Sequence, residues 1–339
     1  MKGNYDILFI TPIPSFYKVN LFNAISTKKR ILVLYTGSNE EKRSDDFYNE
    51  DPMYESQSLS LNAIVAVFQL LKLLCTCSFN RMIVSGWDNI ISFAAVFLHQ
   101  KSHNGCIVES SIFDSSISGF RALLKKILLK RVSTVYASGK SQNKLVEALA
   151  FKGNTIEFGG CGILRYRQQP PFEKRQKVQN FLYVGRLNEV KNLSLLISVF
   201  NEFPDLTLTI IGEGPLMNEL KQSAKGNVHF LGSINNAELS SYYFKNDVFV
   251  LPSMMEPWGL VVEEALNHGL PVIVSSRVGC AESIVTPYLS GIVFESRNRE
   301  ELVKAVQIMC NIDSYNRYRQ NVSKIDFIER CKQQVQAFL

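Results

Sequence analysis

The chain is poor in the residues that build metal and disulfide sites. Its seven cysteines, Cys75, Cys77, Cys106, Cys161, Cys280, Cys310 and Cys331, are odd in number and form no C-x2-C pair. Neither a disulfide framework nor a zinc site is expected, and a reducing cytosol suits the pattern. There are only four histidines. His99, His103 and His229 lack partners at ligand spacing, and His268, between Asn267 and Gly269, suits a helix C-terminus, so none is given a catalytic role. No D-x-D occurs; Asp45 and Asp46 adjoin one another in a polar loop at 36–51, and no Asp/His cluster has metal spacing. No metal and no cofactor are therefore expected. A charged-then-apolar leader is also missing, since residues 1–6 run straight into a strand-like stretch. The most apolar window, 59–79, carries Asn62, Gln69 and Lys72, costly groups in lipid, and reads as a buried or half-buried helix of a globular domain. No repeat of 20 to 50 residues is visible.

Acid is scarce in the first half. Residues 1–170 hold 20 Lys+Arg against 13 Asp+Glu, whereas 171–339 hold 17 against 18, so the net charge of +6 belongs to the first half. That excess suits an anionic partner such as a membrane surface or a phosphorylated lipid, and equally a plain lysine-rich surface. No nucleic-acid partner is expected. Within the half, residues 120–131 (FRALLKKILLKR) set Arg121, Lys125, Lys126, Lys130 and Arg131 among leucines, a pattern for an interfacial helix as well as an ordinary one.

What is present, over 339 residues that are 46% hydrophobic and 20% charged, is enough for two cores. Short apolar runs at 5–11, 31–35, 81–85, 106–109 and 134–138 read as strands, and 15–26, 59–79, 90–99 and 120–131 as the helices between them. Residues 165–180 (RYRQQPPFEKRQKVQN) break the alternation, and 169–180 is taken as a linker between a domain at 1–168 and one at 181–322. Strands then recur at 181–184, 206–211, 228–231, 247–251 and 271–275, with helices at 193–203 and near 216–221. A last helix, about 326–338 within a segment 323–339, is expected to pack back on the first domain. Alternating strand and helix argue for two parallel, doubly wound sheets.

The stretch 247–276 (DVFVLPSMMEPWGLVVEEALNHGLPVIVSS) reads as strand, loop, helix, strand. In such a unit the loop after the first strand and the helix N-terminus face a crevice that favours an anion. Glu256 stands in that loop and Glu264 in the helix, so E-x7-E suits a ligand with a phosphate between two polyols. Glu263 lies about 100° around the helix from Glu264 and reads as surface. At 183–192 (YVGRLNEVKN) a strand runs into Gly185 and then presents Arg186 and Lys191, a planar fork and a compact charge suited to a diphosphate. Gly212 and Gly214 follow another strand, but G-x-G with Met217 at the third place is a weak dinucleotide fingerprint.

E-P-W-G-L-V-V-E-E-A and G-R-L-x3-K-N resemble the donor motifs of retaining GT-B glycosyltransferases of the GT4 type (glycosyl transferases group 1). The resemblance implies an α/β, GT-B fold, two Rossmann-like doubly wound domains facing a cleft. It implies Glu256 on the transferred sugar and Glu264 on the ribose, with Trp258, Gly259 and Leu260 giving backbone donors. Arg186 and Lys191 would stabilise charge growing on the β-phosphate without a metal. Gly185, Gly212 and Gly214 would line the nucleotide site, and Leu231 would offer backbone to the base. Residues 278–285 and 290–293 resemble the family's following loop, with Cys280 where a second glycine is common and Glu282 as a structural residue. In the first half, Val108-Glu109-Ser110-Ser111 resembles an E-S variant of the family, which makes Glu109 a candidate catalytic residue beside the alternative of a strand-end surface acid. The loop 12–18 (PIPSFYK) replaces the family's glycine-rich loop.

The combined reading is a cytosolic, metal-independent, retaining hexosyl- or N-acetylhexosaminyl-transferase, peripheral at the inner face of an anionic membrane or free of it. It would take a UDP- or GDP-sugar as donor and a glycan, in particular a lipid-linked one, as acceptor in bacterial O-antigen, capsule or lipopolysaccharide synthesis. The alternatives are a non-catalytic nucleotide-sugar-binding subunit and another GT-B enzyme, an epimerase or a phosphorylase.

Overall fold

A computed structural model describes residues 3–37 and 50–339. Asp45, Asp46 and nearly all of the polar loop expected at 36–51 lie outside the described residues. The chain forms two units, Met1–Arg165 with Ile328–Leu339, and Tyr166–Phe327.

In the first unit, β1 (Gly3–Thr11), β2 (Ile31–Tyr35), β3 (Glu55–Ser58), β4 (Cys77–Ser85), β5 (Asn104–Val108), β6 (Thr134–Ala137) and β7 (Asn154–Glu157) form a parallel sheet ordered β3-β2-β1-β4-β5-β6-β7. Helices α1 (Phe16–Ser26), α2 (Ala63–Thr76), α3 (Ile90–Leu98), α4 (Gly119–Leu129) and α5 (Lys140–Ala148) cover it. Because side chains alternate along a strand, β1 sends Leu8 and Ile10 into a core under α2 to α5, and Ile7 and Phe9 into one under α1. Phe338, near the chain end, belongs to the second of these cores and stacks on Tyr136 at 4.7 Å.

The second unit repeats the plan. Its strands are β8 (Asn180–Val184), β9 (Thr207–Ile211), β10 (Val228–Gly232), β11 (Val248–Leu251), β12 (Val272–Ser275) and β13 (Gly291–Phe294), in the parallel order β10-β9-β8-β11-β12-β13. Its helices are α6 (Leu193–Phe200), α7 (Met217–Ser223), α8 (Asn236–Lys245), α9 (Leu260–Asn267), α10 (Thr286–Tyr288), α11 (Arg299–Cys310) and α12 (Ile312–Val322), and α13 (Phe327–Gln336) leads out of it. Strand order reverses between β8 and β11, so the loops after those two strands border the crevice where doubly wound sheets bind ligands.

Several expected boundaries move. The helix expected at 59–79 is only α2, because Asn62 accepts from Ile64 N and Val65 N and starts it there, while Cys77 and Phe79 belong to β4. Among the described residues no helix is long and apolar enough to cross a membrane. Residues 290–293, read as part of a loop, are largely edge strand β13, where a Cβ on Gly291 would sit 2.1 Å from Val272 O. Strands β3 and β7 and helices α5, α8, α10, α11 and α12 lie outside the expected elements. The four longer of these helices carry mixed polar sequence, and β3 is exposed throughout.

Candidate active site

Two loops meet at the carboxyl ends of β8 and β11. After β8, Gly185 turns the chain and Arg186 is exposed, while the Tyr183 hydroxyl donates to Arg186 O at 2.9 Å. Lys191 closes a short turn before Asn192, whose backbone is left-handed at φ +56. Asn tolerates that region, and its amide then donates to Pro252 O at 3.3 Å and Ser296 O at 2.9 Å. Asn192 thus ties the Lys191 turn to the end of β11. Met254 N to Val190 O, 2.8 Å, adds a backbone link between the same loops.

Glu256 stands in the loop after β11. Its backbone bridges the loop after β12, through Glu256 N to Arg277 O (3.1 Å) and Gly279 N to Glu256 O (2.9 Å). Its side chain forms an ion pair with Lys191, and the two side chains are 16% and 14% exposed, so both charges are shielded yet reachable. Burial raises the Tyr183 hydroxyl above the ordinary tyrosine range, and Glu256 close by raises it further. The sequence reading gave Lys191 to a diphosphate and Glu256 to a sugar; the fold sets these groups side by side.

Gly259 begins α9 at φ +97, a region that strains any side chain, and a Cβ there would come within 3.0 Å of Val278. Leu260 is the first residue of α9. Trp258 is buried, its carbonyl accepts from Cys280 N at 2.9 Å, and its indole Nε1 has no hydrogen-bond partner among the described residues. Cys280 is fully buried beneath this loop. Gly212 and Gly214 serve backbone packing: Cβ atoms there would lie 1.9 Å from Gly185 O and 2.3 Å from Leu187 O. The ladder between β8 and β9 therefore continues through Leu187 N to Glu213 O (2.9 Å). Leu231, late in β10, is 41% exposed.

Glu264, four residues into α9, is half-buried, and one carboxylate oxygen accepts from the Tyr243 hydroxyl at 2.9 Å. Burial pushes its pKa up to about 7; the Tyr243 bond opposes that rise and neighbouring Glu263 adds to it. Glu263 corrects the sequence reading: it is 0% exposed, not surface, and its carboxylate accepts from Tyr166 at 2.9 Å. What covers it is the start of the second unit, where Arg167 and Asn267 also exchange two hydrogen bonds of 2.9 and 3.0 Å.

Glu109 follows β5 in the first unit. It pairs with the buried ammonium of Lys18 at 3.1 Å, while its other oxygen, Oε1, is buried without a hydrogen-bond partner among the described residues. Burial works against the Lys18 charge, but Glu109 and Tyr17 more than offset it and hold its pKa above the ordinary lysine value. Of the loop expected at 12–18, residues 16–18 are the first turn of α1, and that turn brings a cation to Glu109 that the sequence pattern did not announce. In the same unit a cavity of about 880 Å³ opens beyond β4 and β5, lined by Trp87, Asp88, Ser110, Arg121 and Lys125 among others. Lys125 corrects another expectation: it is buried, donating to Ser115 Oγ and Ser116 O, not a surface cation. Among the described residues no group of three or more His, Cys, Asp or Glu could hold a metal ion.

Residues 165–325 match the family model of the glycosyl transferases group 1. Among curated proteins, the chain is 34% identical over 163 residues to sulfoquinovosyl transferase SQD2 of Arabidopsis thaliana, covering 45% of this chain and 32% of that one. It is 32% identical over 201 residues to the O-antigen biosynthesis glycosyltransferase WbnH of Escherichia coli, covering 58% of this chain and 56% of that one. Each alignment thus spans less than two thirds of the relative's length. Two solved structures share the fold along nearly the whole chain. The lipopolysaccharide outer core galactosyltransferase WaaB matches with TM-score 0.72 at 16% identity, over 98% of this chain and 100% of that one. Anabaena HepE in complex with UDP and glucose matches with TM-score 0.73 at 15% identity, over 98% and 99%.

Proposed function

We propose that this chain is a retaining glycosyltransferase using a nucleotide-diphosphate sugar, a reading supported by the match of residues 165–325 to the glycosyl transferases group 1 and by the GT-B fold of its two Rossmann-like units. The observation that carries the reading is the Lys191–Glu256 pair at the β8/β11 reversal, with Arg186 on the same loop and Glu264 inside the helix that follows. Lys191 and Arg186 take the diphosphate and stabilise the charge that develops on it as the sugar leaves, in place of a metal. Glu256 holds hydroxyls of the sugar, and Glu264 those of the ribose. UDP- and GDP-sugars are the donor classes.

The acceptor is a glycan, with a lipid-linked one favoured, in surface-polysaccharide synthesis. Support comes from the likeness to WbnH and from the face of α4, where Phe120 and Leu123 are 72% and 52% exposed beside Arg121, Lys126 and Lys130. Glu109, held by Lys18, is the first unit's candidate for contact with the reacting groups. Peripheral attachment to an anionic inner leaflet goes with the same α4 face.

Donor hydrolysis by the purified chain tests this. A panel of UDP-, GDP- and ADP-sugars should include one that raises the melting temperature and is hydrolysed, with the rate preserved in EDTA. Loss of all turnover in EDTA with rescue by manganese or magnesium would overturn the metal-free mechanism. Binding without sugar release would make the chain a nucleotide-sugar-binding subunit.

A further inference from the structure

Helix α8 brings a group to the nucleotide site that no sequence motif marks. The Tyr243 hydroxyl donates to Glu264 Oε2 at 2.9 Å, leaving Oε1 unbonded among the described residues. The Tyr243 ring is 1% exposed and clamped, stacked on His268 at 4.8 Å and tilted against Phe249 at 6.1 Å. His268 is held in turn. Its Nδ1 lies 2.7 Å from Glu264 O and must donate to that carbonyl, while burial lowers its pKa and favours the neutral ring, whose Nε2 accepts from Ser240 Oγ at 2.7 Å. Ser240, Tyr243 and His268 thus lock α8 to α9 around one carboxylate.

We propose that Tyr243 is a positioning residue for the nucleotide: its hydroxyl fixes Oε2 of Glu264 so that Oε1 meets the ribose hydroxyls as a charged acceptor. This rests on the reading of Glu264 as the ribose ligand. The groups acting on Glu264 are few. Tyr243 faces it from α8, and Glu263 adjoins it on α9 and is itself bonded to Tyr166. Strands β11 and β12 beneath α9 carry no ionisable side chain, and Arg167 meets α9 through its backbone at Asn267. An acid with a raised pKa is ionised above that pKa, so grip on the ribose should strengthen as pH rises through about 7. Removing the Tyr243 hydroxyl removes the bond that favours the ionised form and should move that rise to higher pH.

The test measures affinity between pH 5.5 and 8.5 by calorimetry for the best wild-type ligand among UDP-glucose, GDP-mannose and ADP-glucose. Each phosphate of these diphosphate diesters keeps a single, strongly acidic oxygen and so does not titrate in this range. Tyr243→Phe keeps the buried ring; it should weaken binding at pH 7 about tenfold and move the midpoint of the affinity curve up by about one pH unit. Glu264→Gln should flatten the curve, and adding Tyr243→Phe to it should cost little more. An unchanged midpoint in Tyr243→Phe, or an equal loss from that substitution in the Glu264→Gln background, would make Tyr243 merely structural and overturn the proposal. If wild type binds none of the three, the nucleotide-sugar reading falls and this inference with it.

Discussion

At the scale of single residues, the Lys191–Glu256 pair has the most to tell. An ammonium in contact with a carboxylate cannot be removed without leaving that carboxylate uncompensated in a shielded place. If Lys191 acts mainly on charge that grows in the transition state, Lys191→Ala should lower kcat more than it raises KM for the donor. A raised KM with unchanged kcat would confine Lys191 to ground-state binding. Glu263 teaches the opposite lesson about sequence. Helical spacing put it about 100° from Glu264, but spacing gives a direction, not what covers that direction. The cover is Tyr166, 97 residues earlier in the chain. Glu263→Ala should therefore remove the bond from Tyr166 and destabilise the second unit by roughly 1–3 kcal/mol, read as a lower midpoint in urea. An unchanged midpoint would mean that the Tyr166 bond contributes nothing net. Glu256, Lys191 and Glu264 were legible because motif residues sit in loops fixed by two strand ends. Tyr243, Asn192 and Lys18 were not, because each acts through a contact between distant segments.

At the scale of elements, legibility followed burial. Strand β1 is an apolar run packed on both faces and was readable to within two residues, whereas β3 (ESQS) is exposed along its length and carries no hydrophobic signal. Capping decided the ends, as at α2, where an apolar window from 59 to 79 gave way to a helix started by Asn62. Helix α4 is the element whose role is most open to experiment. Its cations divide, Lys125 turned inward and Arg121 and Lys130 outward beside exposed Phe120 and Leu123. Neutralising Arg121, Lys126 and Lys130 together should weaken co-sedimentation with anionic vesicles, and salt should weaken it in wild type, since screening at physiological ionic strength reaches in to about 8 Å. Binding that is indifferent to all three charges would make α4 an ordinary surface helix.

At the scale of the whole molecule, the two units repeat one plan but carry different amounts of information. The second holds the family match at 165–325 and every donor-site motif, whereas nearly all of the first lies outside that match. The donor role of the second unit therefore rests on how its two glutamates divide the ligand. Glu256 and Glu264 lie on either side of the start of α9, one ion-paired to Lys191 and the other bonded to Tyr243. Calorimetry with the free nucleoside diphosphate, set beside turnover of the full donor, reads that division in Glu256→Ala and Glu264→Ala. A hydrogen bond to a charged group contributes roughly 1.5–3 kcal/mol, so each effect should be about tenfold or more. Glu264→Ala should weaken the diphosphate and the donor alike, while Glu256→Ala should bind the diphosphate nearly as wild type does and lose turnover. Equal loss of diphosphate binding in both variants would contradict the assignment of sugar to Glu256 and ribose to Glu264.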